Sequence, residues 1–241
     1  MPDWPRLSVL VPTLNEVEWV EYCLRTARAA LDAADVDGEI LVADGGSTDG
    51  TVERAERAGA DEVLAVESEG RAAQLNAAAQ RARGRIYLVI HADALVSPGL
   101  VDGVDSAIGE GADGGWAPVA ILPEYGGASV GLDAVEWGIN WRTRAFCTAT
   151  GEQALFVRAR VFEAIGGFAD QSIMEGHALA RRLRETGRVD LLDVPVRISG
   201  RRWERGGVVR TSLLMHAIRG AYELGVPPAI LSRIWERFSA A

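Results

Sequence analysis

The first half of the chain alternates short apolar runs with longer segments of helical periodicity. We expect strands over Leu7–Val11, Glu39–Ala43, Glu62–Val66 and Arg85–His91, and helices over Val17–Ala34, Thr48–Ala58 and Gly70–Ala82. Strands that alternate with helices pair in parallel through right-handed crossovers. The pattern therefore predicts an α/β fold with a mostly parallel sheet flanked by helices.

The pattern is less regular after residue 115. We expect strands over Trp116–Leu122 and Gln153–Arg158, a helix over Ile173–Thr186, short strands within Val189–Ile198, and terminal helices over Val208–Leu224 and Pro228–Phe238. Between the first two strands, residues 123–151 carry aromatic side chains with weak periodicity, namely Tyr125, Trp137, Trp141 and Phe146. This is typical of a segment that lines or covers a pocket.

No linker separates the two halves, so we predict a single domain over residues 1–241. Within this domain, residues 1–115 form a nucleotide-binding half and residues 116–206 an acceptor half. Residues 207–241 form a C-terminal helical extension. Its apolar positions recur at helical spacing (Leu213, Leu214, Ile218, Ile230, Leu231 and Ile234). They fit packing on the domain, a homodimer, or contact with a membrane that carries a lipid-linked acceptor.

The composition excludes two classes of protein. The net charge of −9 argues against a nucleic-acid partner, because no basic stripe is available to bind phosphates. No uncharged apolar stretch approaches the ~18 residues that a membrane span requires. A predicted strand starts too close to the N-terminus for a signal peptide. We therefore expect a cytoplasmic protein, with peripheral contact at the inner face of the membrane as an alternative.

Polar residues follow the first two strands where each ends. Thr13, Asn15 and Glu16 follow the first, and Asp44 begins the glycine-rich loop 44–50 after the second. The carboxyl ends of parallel strands meet at one edge of a sheet, where open α/β sheets bind nucleotides. Each residue also has a structural interpretation. Thr13 and Glu16 have the spacing of a capping box, and Asp44 could hold a tight turn.

The predicted strand over Arg85–His91 brings His91, Ala92 and Asp93 to the same edge. His91 and Asp93 are two positions apart and so point in the same direction. One carboxylate plus substrate phosphates is the usual way to hold Mg²⁺ or Mn²⁺. We therefore predict Asp93 as a metal ligand. His91 is a second candidate, although a packed histidine is an equal alternative.

Basic and amide side chains elsewhere could bind a diphosphate. Arg71, Gln74 and Asn76 lie on the predicted helix after Gly70, and Arg201 and Arg202 precede a tryptophan. Guanidinium groups bind phosphate oxygens in pairs, which suits a diphosphate leaving group. The alternatives are a solvated helix face for the first set and a surface ion pair with Glu204 for the second.

Taken in order and spacing, several segments resemble the inverting family 2 glycosyltransferases of the GT-A fold. More narrowly, they are similar to the small subgroup named for its association with radical-SAM and selenodomain proteins. The resembling segments are SVLVPTLNE, ILVADGGSTDGT, GRAAQLNAAA, IYLVIHADA, GEQALFVR, VFEAIGGF, MEGHALARRLRETGRVDLL and GRRWERGGVVRTSLL. The resemblance implies transfer of a sugar from a nucleotide-diphosphate sugar to an acceptor hydroxyl, with inversion and with Mg²⁺ or Mn²⁺.

The resemblance also implies roles for individual residues. It places Pro12, Thr13, Glu16 and Asp44 at the base and ribose of the donor, and Arg202 with Trp203 near the diphosphate and the acceptor. Asp93 matches the last aspartate of the family's metal-binding motif. Together with the residues noted above, the candidates for donor binding are Pro12, Thr13, Asn15, Glu16, Asp44, Gly46, Ser47, Arg71, Asn76 and Ala92.

The sequence departs from the family at the catalytic base. Relatives carry a Glu-Asp pair near the acceptor, whereas this chain has Glu175 followed by Gly176 and His177. Inverting transfer needs a base within hydrogen-bond reach of the acceptor hydroxyl. Glu175, His177 and Glu152 are the candidates. A nucleotide-sugar-binding protein without transfer activity is an alternative function, and a nucleotidyltransferase is a further one.

Overall fold

The structure is a computed structural model that describes residues 5–67, 70–123 and 130–239. Strands run over Leu7–Thr13 (β1), Gly38–Asp44 (β2), Glu62–Ala65 (β3), Ile86–Val89 (β4), Ala94–Leu95 (β5), Gly114–Trp116 (β6), Val119–Leu122 (β7), Leu155–Arg158 (β8), Val189–Leu191 (β9) and Val196–Ser199 (β10). Helices run over Val20–Ala33 (α1), Thr51–Arg57 (α2), Arg71–Arg81 (α3), Pro98–Gly109 (α4), Val130–Phe146 (α5), Ala159–Ala164 (α6), Glu175–Thr186 (α7), Arg201–Gly206 (α8), Val208–Glu223 (α9) and Pro228–Ser239 (α10).

A seven-stranded sheet in the order β3-β2-β1-β4-β8-β6-β9 forms the centre of the molecule. Neighbouring strands pair in parallel except β8, which is antiparallel to both β4 and β6. The predicted mostly parallel sheet flanked by helices is therefore confirmed. The division of the chain into donor, acceptor and C-terminal parts stays a prediction.

The central strand β1 is buried along its whole length and supplies both faces of the core. Val9 and Val11 point into a cluster that includes Leu24 of α1. Leu10 points the other way, into a cluster that includes Leu75 of α3. Burying each such side chain stabilises the fold by about 1.5–3 kcal/mol. This explains why the first predicted strand is apolar at nearly every position.

A second, three-stranded sheet in the order β5-β10-β7 positions part of the candidate site. Strand β10 is antiparallel to β5 and parallel to β7. The amide of Ser199 donates to the carbonyl oxygen of Asp93 at 3.3 Å, just before α8 begins at Arg201. This small sheet therefore brings the start of α8 beside Asp93, which follows the end of β4.

The prediction of one strand over Trp116–Leu122 was wrong. Residues 114–116 form β6 in the large sheet, and residues 119–122 form β7 in the small one. Pro118 lies between them and has no amide hydrogen to continue a ladder. A side chain at Gly115 would overlap the carbonyl oxygen of Asp190 on β9. The close approach of these strands therefore requires a glycine, which sequence patterns do not associate with strands.

The irregular segment predicted over residues 123–151 was also wrong in part. Residues 130–146 form the 17-residue helix α5, while Tyr125 lies outside the described residues. Leu132 and Ile139 of this helix are buried, but Trp137, Trp141 and Phe146 are more than half exposed. Apolar residues on both faces weaken the helical periodicity. This is why the pattern did not predict the helix.

The capping box considered for Thr13 and Glu16 does not form. Helix α1 begins at Val20 rather than Val17, and its N-cap makes no side-chain hydrogen bond. The amide of Glu16 instead donates to the hydroxyl of Thr51 at 2.8 Å. The side chains of Thr13 and Glu16 bind Asp44 and Arg201 and do not cap α1.

Among the described helices, none is long and apolar enough to cross a bilayer.

Candidate functional site

The carboxylate of Asp44 holds the turn that follows β2. Its two oxygens accept hydrogen bonds from the amides of Gly46 and Ser47, at 2.9 and 2.7 Å, and from the hydroxyls of Thr13 and Ser47, at 2.9 and 2.5 Å. A carboxylate has about four lone-pair positions. All of them are used here, so a ligand that hydrogen-bonds to Asp44 must displace one of these donors. Thr13 and Ser47 both donate to Asp44 through a hydroxyl, and Ser47 is the more exposed of the two.

Two amide side chains connect the ends of β1 and β2. Gln74 of α3 donates to the carbonyl oxygens of Thr13 at 2.6 Å and Ala43 at 3.1 Å. The side-chain oxygen of Asn15 accepts from the backbone amide of Thr48 at 3.0 Å. The backbone amide of Asn15 donates to the hydroxyl of Ser47 at 2.8 Å. These bonds fix the two loops side by side. The predicted juxtaposition of the two strand ends is therefore present in the structure.

Arg201 lies between the acidic residues of two strand ends. Its Nη2 is 2.7 and 2.6 Å from the two carboxylate oxygens of Glu16 and 3.2 Å from Oδ2 of Asp93. Burial raises the pKa of Glu16, and the Arg201 guanidinium opposes that rise. Glu16 and Asp93 thus face each other around one positive charge. The sequence marked both carboxylates and the Arg201-Arg202 pair separately, and it did not predict that Arg201 pairs with Glu16 and Asp93.

Arg202 forms an ion pair with Glu152 in the loop before β8. Burial opposes ionisation of Glu152, but the charge of Arg202, together with smaller contributions that include Arg71, outweighs it and lowers the pKa of this carboxyl to about 2. Burial and the charge of Arg71 lower the pKa of His91 to about 4. At neutral pH, Glu152 is therefore charged and His91 neutral. A neutral imidazole can act as a metal ligand.

The third ion pair joins Arg71, at the start of α3, to Glu175, at the start of α7. Nη1 of Arg71 donates to Oε1 of Glu175 at 3.0 Å. Burial would lower the pKa of Arg71, but Glu175 and Glu152 raise it above its ordinary value. A Cβ added at Gly151 would lie 3.3 Å from Nη1 of Arg71 and 3.4 Å from Nε2 of His91. The loop that carries Glu152 therefore passes directly against Arg71 and His91.

Gly176 lies against the same loop. A Cβ added at this position would be 3.4 Å from Cα of Gly151, which is ordinary van der Waals contact. The helix could therefore carry a side chain at the position where relatives have aspartate. Glu175 is the neighbouring carboxylate that faces Arg71.

His177 is directed to a different set of neighbours. Its Nδ1 lies 3.3 Å from the carbonyl oxygen of Ala149, and its Nε2 lies 2.6 Å from Oε1 of Glu223 on α9. The ring also packs edge-on against Tyr222. It lines a cavity of about 370 Å³ together with Cys147, Thr148, Ala180, Arg181, Arg184, Glu185 and Glu223. Both ring nitrogens therefore have partners in the described structure, and a role for His177 as the base stays a prediction.

Four other candidates are buried or have structural contacts. The side-chain amide of Asn76 donates to the carbonyl oxygen of Phe168 and accepts from its amide, both at 2.9 Å. Trp203 is only 1% exposed and packs in the core. It anchors α8 and so holds Arg202 at the site. Pro12 and Ala92 are buried beside their strand ends, where only their backbone could approach a ligand.

The acidic residues at this edge fit a cation that shares its ligands with a substrate. Among the described parts of the chain, no group of three or more His, Cys, Asp and Glu side chains could hold a metal ion. Asp93 and the neutral His91 supply one carboxylate and one imidazole. Mg²⁺ and Mn²⁺ bind in this way when phosphate oxygens and water complete the coordination. The residues present therefore fit a substrate-assisted metal site.

The sequence of the first half matches a known family. Residues 8–117 match the family model described as glycosyl transferase family 2. Over 67 residues, or 28% of this chain, the sequence is 42% identical to the low-salt glycan biosynthesis hexosyltransferase Agl6 of Haloferax volcanii. That match spans 15% of the length of Agl6. The resemblance to family 2 is thus confirmed, while the narrower subgroup stays a prediction.

Solved structures of glycosyltransferases share the fold. TarS 1–349 of S. aureus superposes with a TM-score of 0.61 at 17% identity, covering 97% of this chain and 70% of that one. This TarS fragment was also solved with UDP-GlcNAc. The mannosyltransferase PcManGT of Pyrobaculum calidifontis, in complex with GDP-Man and Mn²⁺, has a TM-score of 0.59 at 24% identity, covering 90% of this chain and 65% of that one. The GT-A-like fold is therefore confirmed.

Proposed function

We propose that this protein transfers a sugar from a nucleotide-diphosphate sugar to an acceptor hydroxyl, with inversion at the anomeric carbon. The observation that carries the proposal is the set of three ion pairs at the carboxyl edge of the sheet. Arg201, Arg202 and Arg71 are each held by carboxylates there. A diphosphate can replace those carboxylates as the partner of the arginines. The match of residues 8–117 to a glycosyltransferase family supports the same conclusion.

Donor binding begins at the loops after β1 and β2. Asp44 would accept a hydrogen bond from the base or the ribose after the hydroxyl of Ser47 turns away. Glu16 lies within the same edge and is held by Arg201. The backbone at Pro12 and Ala92 and the glycine at position 46 allow close approach of the ligand.

Asp93 and His91 would hold Mg²⁺ or Mn²⁺ together with the phosphate oxygens of the donor. When bound, the cation supplies positive charge that stabilises the departing diphosphate. Arg202 contributes a second positive charge from the chain itself. The metal-containing structure of PcManGT supports this assignment.

Glu175 is the base that the geometry favours. It faces Arg71 at the first turn of α7 and adjoins the position where relatives carry aspartate. Glu152 is a poor base, because its pKa is about 2. His177 already has partners on both ring nitrogens in the described structure. Glu175 would take the proton of the acceptor hydroxyl as that oxygen attacks the sugar.

The test measures release of nucleoside diphosphate from a panel of UDP- and GDP-sugars with Mn²⁺ and acceptor extracts. Glu175→Gln keeps a hydrogen-bond acceptor for Arg71 but cannot take a proton. We expect transfer to fall by about 100-fold or more, the usual contribution of a general base, with donor affinity unchanged. Glu185→Gln on the same helix is the matched control, because that residue is exposed and pairs with Arg181 at the surface. Unchanged turnover of Glu175→Gln would exclude Glu175 as the base.

Gly176→Asp supplies a second arm of this test. The added side chain meets Gly151 at an ordinary contact distance, so the fold should accept it. In the Glu175→Gln background, we expect Gly176→Asp to restore part of the activity, whereas Gly176→Asn should not. Tight donor binding without nucleoside diphosphate release in every variant, including wild type, would favour the nucleotide-sugar-binding alternative. Release of pyrophosphate from a nucleoside triphosphate would favour a nucleotidyltransferase.

A further inference from the structure

Two arginines outside the three ion pairs have buried nitrogen atoms without partners. Arg142 lies on α5 and Arg219 on α9. Nε and Nη2 of Arg142 and Nη1 of Arg219 are buried from solvent and have no hydrogen-bond partner among the described residues. A buried polar donor without a partner destabilises the fold, and more so when it is charged. These donors need an acceptor that the described residues do not supply.

The two guanidinium groups also repel each other. Burial and then the charge of Arg219 lower the pKa of Arg142 to about 10. Burial likewise lowers the pKa of Arg219. Both groups remain protonated at neutral pH, so the positive charge of Arg219 disfavours that of Arg142. An anion between them would remove the repulsion and satisfy the free donors.

The nearest carboxylates have other partners. Glu152 favours the charged form of Arg142 but is in an ion pair with Arg202. Glu223 favours the charged form of Arg219 but lies 2.6 Å from His177. In the described structure, neither carboxylate forms a hydrogen bond to either arginine. The acceptor for these guanidinium groups is therefore not one of the two nearby side chains.

One loop connects the two arginines to the site. Nη2 of Arg219 donates to the hydroxyl of Thr148 at 2.8 Å. Three residues further on, Gly151 lies against Arg71, His91 and Gly176. The loop over residues 147–152 therefore touches Arg219 at one end and the ion-pair cluster at the other. A molecule bound along this loop would contact both.

We propose that Arg142 and Arg219 bind an anionic group, a phosphate or a carboxylate, on the acceptor. This inference rests on the proposed function, because only a transferase has an acceptor. The planar guanidinium binds two oxygens of either anion with good geometry. The hydroxyl of Thr148 accepts from Arg219 and retains its own proton to donate to the anion. The bound anion would fix the acceptor so that its hydroxyl lies toward Gly151 and Glu175.

The test uses inorganic phosphate and acetate as probes, at constant ionic strength, with saturating nucleoside diphosphate and Mg²⁺ to occupy the donor side. Binding is measured by calorimetry and by the shift in melting temperature. We expect Arg142→Met and Arg219→Met each to weaken the binding of the preferred anion by about tenfold or more, the effect of losing a charge-assisted hydrogen bond. Without the anion, both variants should melt at a higher temperature than wild type, because the charge repulsion is removed.

Arg144→Met is the matched control, since Arg144 lies on the same helix but is exposed. It should leave anion binding unchanged. Binding of glycerol 3-phosphate that is tighter than binding of inorganic phosphate would indicate a soluble acceptor. Tighter binding to vesicles that contain phosphatidic acid than to vesicles without it, again lost in Arg142→Met, would indicate a lipid-linked acceptor. Anion binding that is equal in wild type, Arg142→Met and Arg219→Met, or absent from all three, would overturn the inference.

The result is separable from the proposed function. Nucleoside diphosphate release by water, without acceptor, tests the transferase and should not depend on Arg142. Release by wild type together with unaltered anion binding in the arginine variants would refute the anion site alone. Anion binding that depends on both arginines, without any release by wild type, would refute the transferase alone.

Discussion

At the scale of single residues, the site is held by ion pairs between residues far apart in sequence. Arg201 and Glu16 are separated by 185 positions, and Arg71 and Glu175 by 104. Each pair joins the first half of the chain to the second. The charges that we assign to donor binding therefore also hold the two halves of the site in register.

Glu152 allows a test of this electrostatic arrangement through pH. Its pKa is lowered from 4.5 to about 2 in the folded protein. A lowered carboxyl pKa contributes stability that is present above pH 4.5 and is lost as the pH falls through 2. The shift corresponds to a contribution on the order of 3 kcal/mol at neutral pH. We expect Glu152→Gln to lower the free energy of unfolding at pH 7 by an amount of this order.

Chemical denaturation at pH 7 and at pH 3 checks this prediction. Linkage predicts that the difference between wild type and Glu152→Gln falls to less than about half by pH 3. Glu185→Gln, an exposed carboxylate, should show a small difference at both pH values. A gap that stays constant with pH would mean that Glu152 is stabilised by packing rather than by its charge.

Residue-level prediction from sequence brought the strand-end loops together, but it did not predict the ion-pair partners of the arginines. The strand logic put Glu16, Asp44 and Asp93 at one edge, because parallel strands end together. The position of Arg201 depends on the register between β5 and β10. That register is set by tertiary packing of two short strands, and no local pattern in the sequence encodes it. That Nε and Nη2 of Arg142 lack a partner among the described residues likewise follows only from the packing of α5 and α9.

At the scale of elements, Asn76 illustrates how a helix can be fixed to a loop. Its amide makes two hydrogen bonds to the backbone of Phe168. Removing them leaves two partly buried backbone groups without partners. We expect Asn76→Ala to lower the free energy of unfolding by about 2 kcal/mol, with donor affinity unchanged.

Asn140 on α5 is the matched control, because it makes the same pair of bonds to the backbone of Val119, at 2.8 and 2.9 Å. Asn140→Ala should destabilise the protein by a similar amount. Denaturation and donor titration separate the effects. A loss of donor affinity in Asn76→Ala, with little loss of stability, would restore Asn76 as a donor-binding residue.

The sequence predicted the elements whose apolar side chains lie on one buried face or on buried faces only. Strand β1 and helix α3 have clear patterns because each faces a core cluster. Helix α5 has buried residues on one face and exposed tryptophans on another, so its periodicity is weak. Strand β6 contains two glycines: a side chain at Gly114 would overlap Phe156 of β8, and one at Gly115 would overlap Asp190 of β9. In both cases, tertiary contacts override local propensity.

At the scale of the whole molecule, the C-terminal helices leave apolar surface uncovered. Ile218 and Leu231 are buried, so the predicted packing on the domain is present for part of the set. Leu213 and Leu224 of the same extension are 67% and 88% exposed, and Val209 is 72% exposed. Large exposed apolar residues on one extension indicate an interaction surface.

We predict that this surface mediates either self-association or binding to lipid vesicles. Sedimentation velocity and vesicle co-sedimentation distinguish the two. The double variant Leu213→Ser, Leu224→Ser should lose whichever association wild type shows, because apolar burial drives both. Arg233→Ser on α10 is a polar surface control. Wild type that stays monomeric and unbound to vesicles would contradict the prediction.

The ion pairs described above also determine how ligands approach the site. Four carboxylates (Glu16, Asp93, Glu152 and Glu175) accompany three guanidinium groups at Arg71, Arg201 and Arg202. The site therefore carries no net positive charge, and the whole protein is acidic. Long-range attraction of an anion requires a net positive field. The encounter rate with an anionic donor should consequently be slow and should rise with ionic strength, because salt screens the repulsion between the acidic protein and the donor. Selectivity must then come from the exchange of partners at short range.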